Sequence, residues 1–437
     1  MRVGHAAILC VGISLPSLAQ GQSNTYSAVL DTSTGYSDNV NLAASDAAPG
    51  EEIAISDGFV FITPQLLVQR DSRRSIHRLS YTFNAQIFFQ NAEANSYTNQ
   101  LDWQTQLLLS RRTRAGFNVS LAQGETNNFQ LVNPAGGVQA NQAGGVSFVT
   151  AVLGQEWSFD QNRNWSFEEN FNLQTFLPTD GNATDSFDLS LTAQAERSWE
   201  RTSIAMQMFS NFLFVIGDGG QQQLLLGPQL LLRRDFLDSW NFELGAGGVA
   251  VFNPTDLETA GVTVQPVGSA TIRYRKLRSQ IELSVLHEVA PNIQVGDVFI
   301  NDTANLNVNF VILQRPAVFV QGSLGALSAR EISTVDNNIG AASLVYFADA
   351  ALGWQLNRNI ELSARYNYQK QDADVNSTLQ SFTAHTGFIT VTGRYPGSNV
   401  ERRSNLRRSF RVDGSDTEDA FGSTDRRESI RRPESSR

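Results

Sequence analysis

The sequence predicts an all-β chain, closed into a transmembrane antiparallel up-and-down barrel of about 16–18 strands. Three observations predict it. Apolar and polar residues alternate with a period of two over most of the chain. Short charged turns recur at intervals of about 40 residues, the length of one hairpin and its loop. A secretory leader opens the sequence, and no later apolar run is long enough for a transmembrane helix.

The leader comes first. Met1-Arg2 precedes an apolar run from Ala6 to Leu15, and Ser17-Leu18-Ala19 offers small residues for cleavage after Ala19. Positive start, short apolar core and small-residue exit are the marks of a signal peptide, assigned here to residues 1–19. The run is well short of the roughly 20 residues that span a bilayer. Cys10, the single cysteine, lies inside this leader. The mature chain therefore offers neither disulfides nor thiol chemistry.

Residues 20–396 carry the barrel pattern. In Ser75–Gln90, Leu79, Tyr81, Phe83, Ala85 and Ile87 alternate with Arg78, Ser80, Thr82, Asn84 and Gln86. Successive strand side chains point to opposite faces, so the segment has one apolar and one polar face. The same pattern returns at Trp165–Leu177, Phe187–Glu196, Ala304–Ile312 and Ile360–Gln369. Turns are expected at Asp71–Arg74, Arg111–Ala115, Asp160–Asn164, Trp199–Arg201, Arg234–Asp238, Arg275–Arg278, Gln314–Pro316 and Gln355–Asn359. Between them lie longer loops rich in Gly, Asn, Asp and Pro: Asn128–Gly145, Pro178–Asp185, Gly217–Gln222, Asn253–Thr259 and Arg330–Gly340. Outer membrane barrels have short periplasmic turns and longer outer loops, which orients the chain in the cell outer membrane. The first strand is expected near Tyr26 and the last over Leu379–Tyr395, both ends facing the periplasm. Closure satisfies the backbone hydrogen bonds that lipid cannot.

Two segments stand outside this pattern. Ser37–Gly58 is long and acidic, and reads as an outer loop or an inward-folded flap. Residues 397–437 are dense in Arg, Asp, Glu and Ser, with pairs such as Arg402-Arg403 and Arg431-Arg432. Such a composition buries too little apolar surface to offset its ordering entropy, so it reads as a disordered periplasmic tail. Its arginine pairs could touch peptidoglycan or anionic headgroups; a solvated polyampholyte is the plainer reading.

Tyr26–Asn39 ends in Gly35-Tyr36-Ser37-Asp38-Asn39, and Phe61-Ile62-Thr63-Pro64-Gln65-Leu66 runs into the arginine-marked turn at Asp71–Arg74. In these words the opening fifth of the chain resembles the beta-barrel porin 2 family, which includes barrels encoded in exopolysaccharide operons. The resemblance implies an outer membrane barrel linked to polysaccharide export, with no catalytic site. Such barrels usually end on an aromatic residue read by the barrel-assembly machinery. Here Tyr395 is the internal equivalent, followed by the tail.

Chemistry finds little support. The histidines beyond the leader, His77, His287 and His385, are dispersed, and none sits beside a nucleophile in sequence. His385, near Thr383 and Thr386, could face the lumen. Asp180, Asn182 and Asp185 have spacing common in any polar loop, too weak for a calcium site. No catalytic residue, metal or cofactor is expected. The net charge of −10 argues against nucleic acid.

A barrel of this size leaves a watery channel. The expectation is a porin-like passive pore for small hydrophilic solutes, lined by Asp102, Glu168, Asp188, Glu243, Glu282, Glu361, Arg78 and Arg365. Carboxylates would outnumber the arginines and favour cations. Two other readings stay open: an accessory barrel for exopolysaccharide export with periplasmic partners, and a structural or adhesive barrel plugged by Ser37–Gly58. Aromatic rails in the lumen would favour export, yet most aromatics fall on the lipid parity.

Overall fold

A computed structural model describes residues 23–40, 54–126, 146–179, 185–216, 222–252, 262–292, 297–314, 317–332, 339–373 and 381–395. They form one sheet of 18 antiparallel strands in which each strand pairs with its sequence neighbours. β1 (Ser23–Ser37) pairs with β2 (Asp57–Asp71) on one side and β18 (Phe382–Tyr395) on the other, which closes the barrel. The closing register runs from Ala28–Tyr395 to Ser37–Thr386. No open edge is left along that seam, so every strand hydrogen-bonds on both sides, as a lipid environment demands.

The strands follow the alternation closely. Between β1 and β18 they run β3 (Ser75–Phe88), β4 (Ser96–Leu108), β5 (Thr113–Thr126), β6 (Val146–Asp160), β7 (Trp165–Pro178), β8 (Asp185–Ser198), β9 (Thr202–Ile216) and β10 (Gln222–Leu237). There follow β11 (Trp240–Phe252), β12 (Thr263–Lys276), β13 (Ser279–Asn292), β14 (Asp297–Gln314), β15 (Ala317–Ile332), β16 (Ile339–Gln355) and β17 (Ile360–Ala373). The short turns gather at the end that also holds Ser23 and Tyr395, and the long connections at the other. Several expected boundaries shift by a few residues, with β5, for example, beginning at Thr113 inside the turn expected over Arg111–Ala115. Arg234 belongs to β10, whose turn to β11 begins only after Leu237, and Arg330 and Gly340 lie in β15 and β16 rather than in the loop between them. The expected leader (residues 1–19) and tail (residues 397–437), Asp180, Asn182 and most of Ser37–Gly58 lie outside the described residues.

On the outer wall, Leu101, Leu121, Leu153, Leu189, Leu230, Leu244, Leu283, Leu324 and Leu352 are all exposed. An apolar belt of this kind is stable only against lipid. Toward the turn side it meets aromatic residues, among them Trp165, Trp199, Trp240, Tyr274 and Trp354, the girdle expected at a membrane–water interface.

Proline accompanies the longest interruptions of the ladder, while the register shifts at Asp235/Leu237, Val311/Leu313 and Arg330/Ile332 occur without one. Proline has no N–H to donate, so within a sheet it pairs fully on one side only. Pro64 lies opposite Leu30 of β1 while its own ladder to β3 skips from Ile62–Ala85 to Gln65–Thr82. The largest gap is between β12 and β13. Their ladder runs from Lys276–Ser279 only as far as Gly268–His287. Beyond it β12 stays on β11 to Thr263, and β13 stays on β14 to Asn292. Pro266 and Pro291 stand on the two diverging edges, one on each strand, and neither has a donor to offer across the fork.

Candidate functional site: the lumen wall

Strand register decides which side chains share the lumen face, because directly paired residues point the same way. Asp102 pairs with Ser80 and Ser120, and accepts hydrogen bonds from Ser80 Oγ (3.5 Å), Gln100 Nε2 (3.0 Å) and Ser120 Oγ (2.7 Å). Glu168, Asp188, Glu243, Glu282, Glu361, Arg78 and Arg365 fall on the same face as Asp102 by register. The eight side chains do not converge on one point. They are spread around the wall, six of them in its turn-side half, Asp102 at the middle of β4 and Asp188 near the outer ends of β7–β9.

Five charged side chains of the turn-side half are connected. Glu196 on β8 reaches Arg233 on β10 (3.4 Å), Arg233 reaches Glu243 on β11 (3.1 Å), Glu243 contacts Arg273 on β12 (3.9 Å), and Arg273 bonds Glu282 on β13 (2.9 Å). The first of these contacts crosses β9, where Ser203 and Ala205 occupy the facing positions and leave room for the arginine. Two further pairs continue the arrangement: Arg365 with Asp349 (2.7 Å) and Arg394 with Glu361 (2.9 Å). Asp31 of β1 accepts from the Thr392 hydroxyl across the closing seam. Side chains of the ladder keep 17–41% of their surface accessible, so they face water rather than a packed core.

Beside Arg78 and Arg365, the register places Arg114, Arg233, Arg273 and Arg394 on this wall. Most acids near β10–β18 are thereby neutralised. Asp102, Glu156, Glu168 and Asp188, on β4 to β8, have no described arginine within 4.0 Å. The residual negative charge therefore sits on one side of the lumen.

The outer half of the same wall differs from expectation. Lumen-facing positions there hold Phe148, Phe176, Leu213, Leu225, Val249 and Val251, all buried and in one apolar cluster. Val289, Val298, Ile300 and Ile332 belong to that cluster too. Val289, Val298 and Ile300 share a face with Leu283 and Leu306, on the lipid side lower down the same strands, and no register shift intervenes between β13 and β14. Residues of the lipid-side face thus pack against residues of the lumen-side face. That is possible only if the upper β13–β14 hairpin, freed from β12 at the fork, lies inside the β11–β12 wall. A second patch, Phe59, Phe88 and Val40 with Phe61 and Phe388, fills the lumen side of β2, β3 and β18, its rings meeting at 5.8 and 6.3 Å.

The watery channel expected from sequence is thus lined by apolar side chains at its outer end, and the sequence carries a signal for it. At the outer strand ends alternation gives way to unbroken apolar runs: Phe59-Val60-Phe61-Ile62, Phe212-Leu213-Phe214-Val215-Ile216, Leu224-Leu225-Leu226 and Val298-Phe299-Ile300. Strands buried on both faces read this way.

The histidines lie apart. His77 bonds Thr105 (2.9 Å) and Ser75 (3.2 Å) near a turn. His385, for which the sequence left a lumen-facing position open, pairs with Tyr368 on the lipid-side face and bonds the Tyr366 hydroxyl (2.7 Å). His287, at the fork, bonds Asp302 (2.5 Å), which also holds Arg330 (2.7 Å). The same face of β12 beside His287 carries Pro266, Gly268 and Ala270, so the His–Asp pair has no neighbouring nucleophile there.

No family model matches this sequence, and no curated protein matches it. Solved structures match in fold. The chain is 11% identical to OccK2 (OpdF) of Pseudomonas aeruginosa, with 86% of this chain and 100% of that one covered and a TM-score of 0.47. OccK1 (OpdK) of the same organism is 9% identical, with 85% and 99% covered and a TM-score of 0.45. The ferric-catecholate import receptor Fiu of E. coli K12 is 9% identical, with 85% and 82% covered and a TM-score of 0.44. These likenesses concern architecture alone. Closure, apolar belt and aromatic girdle define the class directly: this is an outer membrane β-barrel.

Proposed function

We propose that the protein is a porin-like passive pore for small hydrophilic solutes, with a charged vestibule on the turn side and an apolar constriction at the outer mouth. The observation that carries this reading is the ladder from Glu196 to Glu282. Paired, partly accessible charges on a lumen wall keep it hydrated and hold long side chains out of the path. The acids on β4 to β8 give the path a mild preference for cations.

A non-enzyme reading fits the dispersal of the three histidines, which lie on β3, β13 and β18 and share no partner among the described residues. The export reading drawn from the porin 2 resemblance has less support. Lumen-facing Phe59, Phe88, Phe148 and Phe176 are packed with other apolar side chains, whereas a sugar rail needs open ring faces. Tyr395, which closes β18 and is 73% exposed, serves in this reading as the aromatic that the assembly machinery reads.

Single-channel recording of the purified barrel in a planar bilayer tests the proposal. Steady conductance is expected, with a reversal potential under a salt gradient that favours cations. Removal of the charges on β4 to β8 (Asp102→Asn, Glu156→Gln, Glu168→Gln, Asp188→Asn together) should bring that potential toward zero. Conductance only after deletion of residues 41–53 would mean a plugged barrel. Silence in both forms would overturn the pore.

A further inference from the structure

On the outer wall, at the turn-side rim, Phe236, Trp240, Asn241, Phe242 and Ile272 line a groove of about 320 Å3. It spans β10, β11 and β12, and its lining is almost wholly apolar. Phe236, Trp240 and Ile272 are each at least 40% exposed. The rings are fixed by one another: Phe236 meets Phe242 edge-on at 6.3 Å, and Trp240 lies 4.8 Å from Tyr274. A cation stands on either flank. The Arg234 guanidinium sits 5.2 Å from the Phe236 ring, and Lys276 Nζ sits 5.7 Å from the Tyr274 ring. Neither makes an ion pair within 4.0 Å among the described residues. The chain has only two lysines, and one of them is here.

Annular lipid needs nothing more than a smooth apolar wall. This site has a slot bordered by positive groups among the turn-side aromatic residues, the kind of girdle that sits at a membrane–water interface. We infer that the Phe236–Ile272 groove, with Arg234 and Lys276, is a binding site for one anionic phospholipid of the periplasmic leaflet. An acyl chain fills the groove, and the phosphodiester lies between the two cations. The rings carry part of the cations' stabilisation, which leaves the charged N–H groups directed at the lipid. A zwitterionic lipid of equal chain length would fill the groove but leave its own cation beside Arg234 and Lys276. The site therefore selects by net headgroup charge.

Native mass spectrometry of the full-length barrel in detergent tests this, with phosphatidylglycerol and phosphatidylcholine of identical chains as probes. Phosphatidylglycerol should be retained about 30-fold more tightly, the scale expected of two interfacial cations. In Arg234→Gln/Lys276→Gln the preference should vanish while phosphatidylcholine retention is unchanged. Trp240→Ala should weaken both lipids; if that variant fails to fold, the charge variant decides alone. Equal retention by the wild type, or a preference that survives the double substitution, would overturn the site. So would complete displacement of the lipid by inorganic phosphate, which would show a soluble-anion site, or occupation of the face by a second copy of the chain. Both substitutions lie on the wall opposite the lumen face, so conductance should not change, and the two proposals fail independently.

Discussion

Replacing Leu191 by arginine separates the two faces of the wall more sharply than any other single change. Leu191 is the seventh of the fourteen residues of β8, close to the middle of the membrane span. It is 42% exposed on the lipid side, between Phe171 of β7 and Ser210 of β9. An arginine on the lipid face at the bilayer midplane costs about 2–4 kcal/mol, and near the interfaces only about 0–1. The central position selects the larger range, a change of about 30- to 900-fold in the folding equilibrium. Ser190, one residue away, points into the lumen between Asn172 and Asn211. Ser190→Arg puts the same charge against water and should cost about 0.5 kcal/mol or less. Both variants are refolded into lipid vesicles and unfolded in urea. Equal destabilisation would refute the division of this wall into lipid and lumen faces. A larger loss for Ser190→Arg would reverse it.

Three further outcomes follow from the same geometry. A protease site inserted at Gln139 or Val335 should be cut on intact cells, and one at Arg73 only after the outer membrane is permeabilised; the opposite pattern would invert the barrel. Val298→Asp places a carboxylate in the buried cluster at the outer mouth, at a penalty of several kcal/mol unless the hairpin moves out. Conductance should rise while heat-modifiable migration on gels still shows a closed barrel, and unchanged conductance in a folded variant would show that this cluster does not restrict the path. Arg233→Gln breaks the ladder at its centre and leaves Glu196 and Glu243 facing each other. The reversal potential should then shift further toward cations, and a shift toward anions would contradict the ladder's place on the lumen wall.

Much of the barrel was legible in the sequence because its causes are local. Period-two alternation fixes which residues can face lipid, and the Arg- and Asp-marked turns fix where strands reverse. A range of about 16–18 strands, their antiparallel order and the placing of both ends on one side follow from these two signals. The lumen parity of Asp102, Glu168 and Glu361 is likewise a property of position along a strand. Partners across the lumen wall are not local. Arg233 meets Glu196 because β8, β9 and β10 are in register and because Ser203 and Ala205 are small, and nothing near Arg233 in sequence announces Glu196. The apolar runs at the outer strand ends were visible, but what they pack against depends on a fork between β12 and β13.

The amino-acid sequence by itself determined a membrane barrel, its strands and the two faces of its wall, since side-chain periodicity and the demand for paired backbone in lipid leave no other closed solution. Only the tertiary structure decided how that wall is used. Register set which charges neutralise one another. Pro266 and Pro291 let β13 and β14 leave the wall, and an outward-facing strand surface became the lining of the outer mouth. Closure brought aromatic rings from β10, β11 and β12 into one groove between two cations. Each of these depends on residues far apart in the chain, whose meeting is fixed by the ladder's register and not by any pattern within a single strand.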